Sequence, residues 1–477
     1  MLTWLGSLTA EGARRRAERT LRAHVWPGKL ALALARLAAD GHEAWLVGGS
    51  VRDVLLAPPR PVAPGHERWD VATDRRPDEV RAVFPRVEGV GERHGTVLVL
   101  WEGLELEVTT FRREGEYTDL RRPDQVWFTR DVLEDLARRD LTVNALAYSV
   151  ADGRLLDPHG GARDLVRRTL KAVGDPLERF REDALRPLRV ARFAAVLEME
   201  PERETRAALA GVSDRIGALA IERVRSELEL MMGAAKPSRG LEILREAGLL
   251  AAWLPELAAC RGVPQNRFHA YDVYFHSLYS CDAAAPEKPE VRWAALLHDI
   301  GKPGTRVERD GDGTFYGHAE LGATLADERL AALRFPNDFR ERVVHLIREH
   351  MFDFQETWSD AAVRRFVRRV GAEHVADLFD LRMADALGNG TRGPDTQRLE
   401  AMAKRIEGVL RDASALSVHE LAVDGDDVMS TLGLPPGPEV GNVLRALLEQ
   451  VIESPALNAR ATLLQRLDAM RAERGSA

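Results

Sequence analysis

With 477 residues, 45% hydrophobic and 30% charged, the chain has the make-up of a soluble globular protein of two to four domains. A formal net charge of −8 excludes a polyanion binder over the whole surface. Two cysteines, Cys260 and Cys281, exclude a disulfide framework or a cysteine-only metal site. No apolar run approaches the roughly 20 residues that span a bilayer, so no membrane partner is expected. The N-terminus sets a short apolar start before basic residues, the reverse of a secretory signal, and a cytoplasmic protein is expected.

In chain order, the first elements mix strand and helix. "EAWLVGG" reads as a short apolar strand, and Gly48-Gly49-Ser50 then turn into a helix opening at Val51-Arg52-Asp53. Paired glycines let backbone N–H groups approach an anion, and the helix start adds a favourable dipole. A tight turn with nothing bound has the same pattern. Next come Trp69-Asp70-Val71-Ala72-Thr73 and a helix led by Pro77 with Asp78-Glu79 in its first turn. "TVLVLWEGLELEVTTF" alternates through Leu104, Leu106 and Val108 as a half-buried strand does, with Gly103 at the hairpin. Four arginine pairs, 112–113, 121–122, 138–139 and 167–168, read as solvated faces or a local basic wall. From about residue 160 the pattern is helical, with breaks at Gly174-Asp175-Pro176, Lys236-Pro237-Ser238 and Gly388-Asn389-Gly390.

Three further stretches, "EVTTFR" (Glu107 to Arg112), "YTDLRRP" (Tyr117 to Pro123) and "DLARRDLTVNALAYS" (Asp135 to Ser149), complete a collinear set. With them the chain resembles the class II tRNA nucleotidyltransferase and poly(A) polymerase family, whose catalytic head is like that of DNA polymerase beta. The resemblance implies that Gly48, Gly49 and Ser50 cradle a triphosphate with support from Arg52. It makes Asp70 the second member of a metal-binding carboxylate pair and extends a third carboxylate to Glu107. It also sets Arg138, Arg139, Asp140 and Asn144 against the sugar and phosphates, with Mg²⁺ as the cofactor of the head.

Phosphoryl transfer explains the pair. One Mg²⁺ activates the attacking 3′-hydroxyl and another neutralises the triphosphate, and both need carboxylate oxygens. Residues two apart on a strand share a face, so Asp-x-Asp holds both ions. Here the first member is Arg68, an always-charged guanidinium that repels a cation. Glu67 is expected on the opposite face unless a bulge rotates it inward.

Beyond the head, "GDPLERFREDALRPLRVARF" resembles the family's neck helix, in which Asp183 and Arg186 read the base from one helix face. An ordinary intrahelical ion pair is the alternative. Arg179, Arg189 and Arg192 are expected to hold phosphates or pack the neck, and Pro187 to bend the helix. Seven of 13 histidines lie between His269 and His374. His276, His298, Asp299 and Asp385 resemble the HD phosphohydrolase ligand set for a divalent transition metal, with His318 and His350 completing a second site and Lys302 beside a phosphate. A vestigial HD scaffold that binds RNA is the alternative. The Pro435-Pro436-Gly437-Pro438 turn and Gly441 suggest a phosphate contact or a plain helix start.

The expected fold is α+β: a polymerase-beta-like head of mixed sheet and helices (28–150), then an all-helical neck (151–245), HD body (246–400) and tail (401–477). The expected activity is RNA 3′-end nucleotidyl transfer, CCA addition to tRNA from CTP and ATP, with poly(A) addition as a close alternative. A metal-dependent phosphohydrolase or RNA-binding protein with a head inactivated at Arg68 is the reading from another class. Nothing in the sequence speaks to oligomeric state.

Overall fold

The structure is a computed structural model that describes residues 9–56, 68–114, 126–265, 269–309, 312–352, 357–391, 396–411 and 415–475. Glu67 and the stretch Tyr117 to Pro123 lie outside the described residues. The chain divides into two compact units, Met1–Ala258 with Ala332–Arg334, and Ala259–Ala331 with Phe335–Ala477.

The first unit is built on a seven-stranded sheet. Its strands are β1 (Ala44–Val47), β2 (Arg68–Thr73), β3 (Val87–Gly91), β4 (Thr96–Trp101), β5 (Leu104–Thr110), β6 (Ala147–Ser149) and β7 (Arg154–Leu156), in the order β3-β4-β5-β2-β1-β6-β7. Among the described residues of this sheet only β2 and β5 pair in parallel, with Arg68 beside Glu105, Trp69 beside Leu106 and Asp70 beside Glu107. The other neighbours run antiparallel, so the sheet is mixed, as expected. The β4–β5 hairpin turns at Glu102 and Gly103, both at positive φ (52° and 82°), a tight turn that suits the twist of the strands. Period-2 alternation does what the pattern requires: Leu104, Leu106 and Val108 are buried while Glu105 and Glu107 face out. Trp45, Val47, Ala72, Phe111, Val132, Leu136 and Ala147 form one apolar cluster against this sheet.

Helix α1 (Gly49–Leu55) follows β1 directly, and α2 (Val132–Ala137) precedes the segment leading into β6. The neck departs from expectation. A helix over Pro176–Glu182 stops, Asp183 turns extended (φ −136°, ψ 107°), and α3 (Arg186–Leu197) begins anew. Pro187 therefore sits in the first turn of α3, where a missing N–H costs nothing, and it starts a helix instead of bending one. Helix α4 (Ile221–Met232) packs beside α3 and turns Glu227 inward.

Among its described residues the second unit is helical apart from the short strand pair Val307–Arg309 with Asp312–Thr314. Its core helices are α5 (Val273–Ala283), α6 (Pro289–Leu297), α7 (His318–Ala332), α8 (Asn337–Glu349) and α9 (Val375–Gly388). At the C-terminal end, the helices Pro438–Glu453 and Arg460–Gly475 share a separate apolar cluster that includes Leu447, Val451, Leu463 and Leu467.

Candidate active site

In the head, the β1–α1 turn sets Gly48 at φ 59°, ψ −128°, a conformation open to glycine. A Cβ there would lie 3.1 Å from Arg139 Nη1, and one at Gly49 would lie 3.3 Å from Asp70 Oδ2. The absent side chains thus admit the Asp70 carboxylate and the Arg139 guanidinium to the turn. The Asp70 backbone N–H donates to Ser50 Oγ at 2.7 Å, stapling the start of α1 to β2. Burial, followed by the nearby Glu107 charge, raises the Asp70 carboxyl above the usual range, against the pull of Arg139 and Arg52.

The expected nucleotide-binding residues of the head converge. Arg52 Nη1 donates to Asn144 Oδ1 at 2.6 Å, and Asn144 Nδ2 donates to Asp140 Oδ1 at 3.0 Å. Arg189 on α3 reaches Asp140 Oδ2 at 2.7 Å. Burial opposes ionisation of Asp140, but Arg189 and the Asn144 amide hold it well below the usual carboxylate range. Three side chains escaped the sequence reading. Asp135, fully buried, accepts from Arg138 at 2.7 Å and Arg139 at 3.0 Å, fixing both guanidinium groups. Glu227 pairs with Arg192 at 2.5 Å and Arg189 at 3.5 Å, and Arg223 takes Asp183 at 2.8 Å. The signal for Asp135 was present as an Asp three and four residues before two arginines; Glu227 and Arg223 had none.

Asp183 and Arg186 do not share a helix face, because the neck helix breaks between them. Arg186 instead donates to Glu182 at 2.5 Å and to the Arg179 and Arg138 carbonyls at 2.8 and 3.1 Å. Of the strand pair, Asp70 faces the turn, while Trp69 on the opposite face packs against Trp26 with ring centres 6.0 Å apart. Arg68 shares Asp70's side and ion-pairs with Glu107 at 2.5 Å, both half-exposed. Of the pair, only Asp70 suits a cation ligand.

In the second unit, five helices deliver one cluster. His276 comes from α5, His298-Asp299 from the end of α6, His318 from the start of α7, His350 from the end of α8 and Asp385 from α9. A Cβ on Gly301 would meet the His318 carbonyl at 2.2 Å and the Gly322 N at 2.6 Å, so that glycine lets α7 approach the His-Asp doublet. Asp299 is shared: with His276 and His298 it forms one group of three, and with His318 and His350 another, each with ligand atoms within 4.8 Å of one another. Asp385 Oδ1 lies 3.1 Å from His276 Nε2.

The imidazoles are held in a metal-ready tautomer. His298, His318 and His350 donate Nδ1–H to the carbonyls of Ala295, Phe315 and Ile347 at 2.9, 2.7 and 2.6 Å, turning Nε2 lone pairs inward. His318 Nε2 and His350 Nε2 then face each other at 3.3 Å, a repulsion that a cation relieves. Burial, and then His298, push His350 down to about 3; burial also lowers His318. His298 is raised, since Asp299 outweighs its burial, and Asp299 and Asp385 stay ionised beside their histidines and despite burial. The neutral imidazoles of His318 and His350 and the bare carboxylates of Asp299 and Asp385 are what a divalent ion needs, while at His298 the ion would displace a proton. A cavity of 610 Å³ opens onto the cluster, lined also by His269, Lys302, Phe315, Tyr316 and Arg382. Lys302 Nζ lies 2.6 Å from Asp299 Oδ2.

Family models match as the poly A polymerase head domain over 44–171, the probable RNA and SrmB-binding site of polymerase A over 198–261, and the HD domain over 268–390. The CCA-adding enzyme of Lactococcus lactis subsp. lactis is 33% identical over 444 residues, 92% of this chain and 96% of its own. That of Anoxybacillus flavithermus is 45% identical over 429 residues, 88% and 92% of the two chains. The crystal structure of the Bacillus stearothermophilus CCA-adding enzyme in complex with CTP matches at 28% identity with a TM-score of 0.71, covering 94% of this chain and 98% of that one. Both families of the nucleotidyltransferase head and the HD domain use divalent metal, and among the described residues no helix is long and apolar enough to cross a membrane. The chain belongs to the CCA-adding enzyme family of nucleotidyltransferases.

Proposed function

We propose that this chain adds nucleotides to an RNA 3′ end, CCA to tRNA from CTP and ATP, in the cytoplasm. The observation that carries this reading is the Gly48-Gly49 turn with Asp70, Arg52 and Arg139 gathered on it. Gly48, Gly49, Ser50, Arg52, Arg139 and Asn144 would bind triphosphate and sugar, with Asp140 positioning Asn144. Asp183 and Arg186 in the neck would read the base, and Mg²⁺ would be held by Asp70 with Glu107. The head, neck, HD body and tail boundaries given above belong to the same reading. The test supplies purified protein with tRNA lacking its 3′ end, labelled CTP and ATP, and Mg²⁺ or Mn²⁺, beside Arg68→Asp. Incorporation of both CMP and AMP by the natural chain is expected. AMP alone would mean poly(A)-type addition, and activity confined to Arg68→Asp would overturn the reading for this chain.

A second activity is favoured by the shared Asp299 and the two ligand groups it joins. His276, His298, Asp299 and Asp385, with His318 and His350, would hold divalent transition metal ions, which supply activated water for phosphoester hydrolysis. Lys302 and Arg382 would face the phosphate. Hydrolysis of 2′,3′-cyclic nucleotides that needs added transition metal and is lost in His298→Ala is the expected result. Absence of turnover with every metal would leave the unit as an RNA-binding scaffold.

A further inference from the structure

The carboxylate pair that would hold two ions is here Arg68-x-Asp70, and the structure shows where the guanidinium goes. Arg68 and Asp70 lie on the same side of β2, and Glu107 on β5 is Asp70's partner in register. Arg68 Nη2 donates to Glu107 Oε2 at 2.5 Å. Three carboxylates on this surface would carry three negative charges, enough for two divalent ions against a triphosphate. With Arg68 in place of one of them the same three side chains carry a net charge of −1, which suits one ion and opposes a second by direct repulsion. The two flanking cations, Arg52 and Arg139, do not change this balance in favour of metal: both already sit beside Asp70.

The ion pair itself is easily opened. Arg68 is 51% and Glu107 35% exposed, so water screens their attraction and either can be drawn away by a stronger partner. A divalent cation on Asp70 is such a partner for Glu107, and a triphosphate is such a partner for the guanidinium, which binds phosphate oxygens through paired N–H groups. Both exchanges occur on one sheet surface and each favours the other.

We propose that Arg68 takes the place of one metal ion in this head: a single divalent cation binds through Asp70 and Glu107, together with a nucleoside triphosphate whose phosphates Arg68 engages. This deepens the transferase reading above and rests on it for the identity of the nucleotide.

Electron paramagnetic resonance of Mn²⁺ tests the proposal without any turnover. Two Mn²⁺ ions bridged by shared carboxylates lie about 3.5–4 Å apart and are spin-coupled; a lone ion is not. The full chain is titrated with Mn²⁺ and a non-hydrolysable CTP analogue, beside Asp70→Asn, whose spectrum is subtracted to remove ions held by the histidine cluster. In the natural chain the Asp70-dependent signal is expected to be a lone ion, and in Arg68→Asp a coupled pair. Analogue affinity at saturating Mn²⁺ should fall roughly 10-fold in Arg68→Ala and be largely kept in Arg68→Lys. Since Arg68 is exposed, these variants should keep the melting temperature of the parent. An Asp70-dependent coupled pair in the natural chain overturns the proposal, as does no Asp70-dependent ion at all, or unchanged affinity in Arg68→Ala. A lone ion with no CMP or AMP incorporation would instead count against the transferase reading and leave this one standing.

Discussion

At the scale of single residues, the head depends on positions where a side chain is missing. Gly48 combines positive φ with a Cβ direction aimed at Arg139. Gly48→Ala therefore strains the backbone by about 1–3 kcal/mol and displaces the guanidinium. CTP affinity measured by calorimetry should fall at least about 10-fold, a loss larger than the strain alone produces in urea denaturation. The glycines and Asp70 were legible because motif spacing places them. Arg68 was legible as an anomaly, but its partner Glu107 lies 39 residues away and only the parallel β2–β5 register joins them. Asp183 and Arg186 were misplaced for a related reason: three-residue spacing implies one helix face only where the helix is continuous.

At the scale of elements, two helix junctions decide the sites. The neck is two helices, and Pro187 opens the second. Pro187→Ala should change stability by no more than about 1 kcal/mol, since no intrahelical hydrogen bond is gained at that position. A loss above about 2 kcal/mol in chemical denaturation would mean that the proline has another role. In the second unit, α7 lies so close to the His298-Asp299 segment that Gly301→Ala puts a methyl into the His318 and Gly322 backbone. Such overpacking costs about 3 kcal/mol and moves His318 off the cluster. Weakened Zn²⁺ or Co²⁺ binding, with the Gly48 turn and its CTP affinity unaffected, is the expected pattern. Hydrophobic periodicity indicated the helices but not these approaches, because a glycine in sequence does not say which backbone will pass beside it.

At the scale of the whole molecule, the buried histidines impose a direction on pH dependence. His350 and His269, pushed down to about 3 and about 4 by burial, stay neutral in the folded unit while their unfolded counterparts bind protons below about pH 6.5. The unfolded state then takes up more protons, so stability falls as pH drops from about 6.5 toward 4. The depressed Asp299 and Asp385 add loss in the same direction at lower pH. His298, raised, contributes fully below about pH 6.5 and loses its part as pH rises through its higher folded value. Melting of chelated protein should therefore be highest near neutrality, and a melting temperature that rises on acidification from pH 6.5 to 4.5 would contradict this account. A bound divalent ion should steepen the acid limb, because protons compete for the same Nε2 and carboxylate oxygens.

Composition, period-2 alternation and motif order were enough to indicate the α+β head and the mostly helical remainder, and the collinear motifs, through their resemblance, the family. Those features are local: a strand face, a turn and a helix start follow from neighbours in the chain. What the tertiary structure decided is which distant groups meet. It bound Asp140 to Arg189 across 49 residues and Asp183 to Arg223 across 40. It also set Glu227 between two arginines and brought five helices to one Asp299. Charged groups inside a fold must find partners or be neutralised, and which partner is available depends on packing that no local pattern encodes.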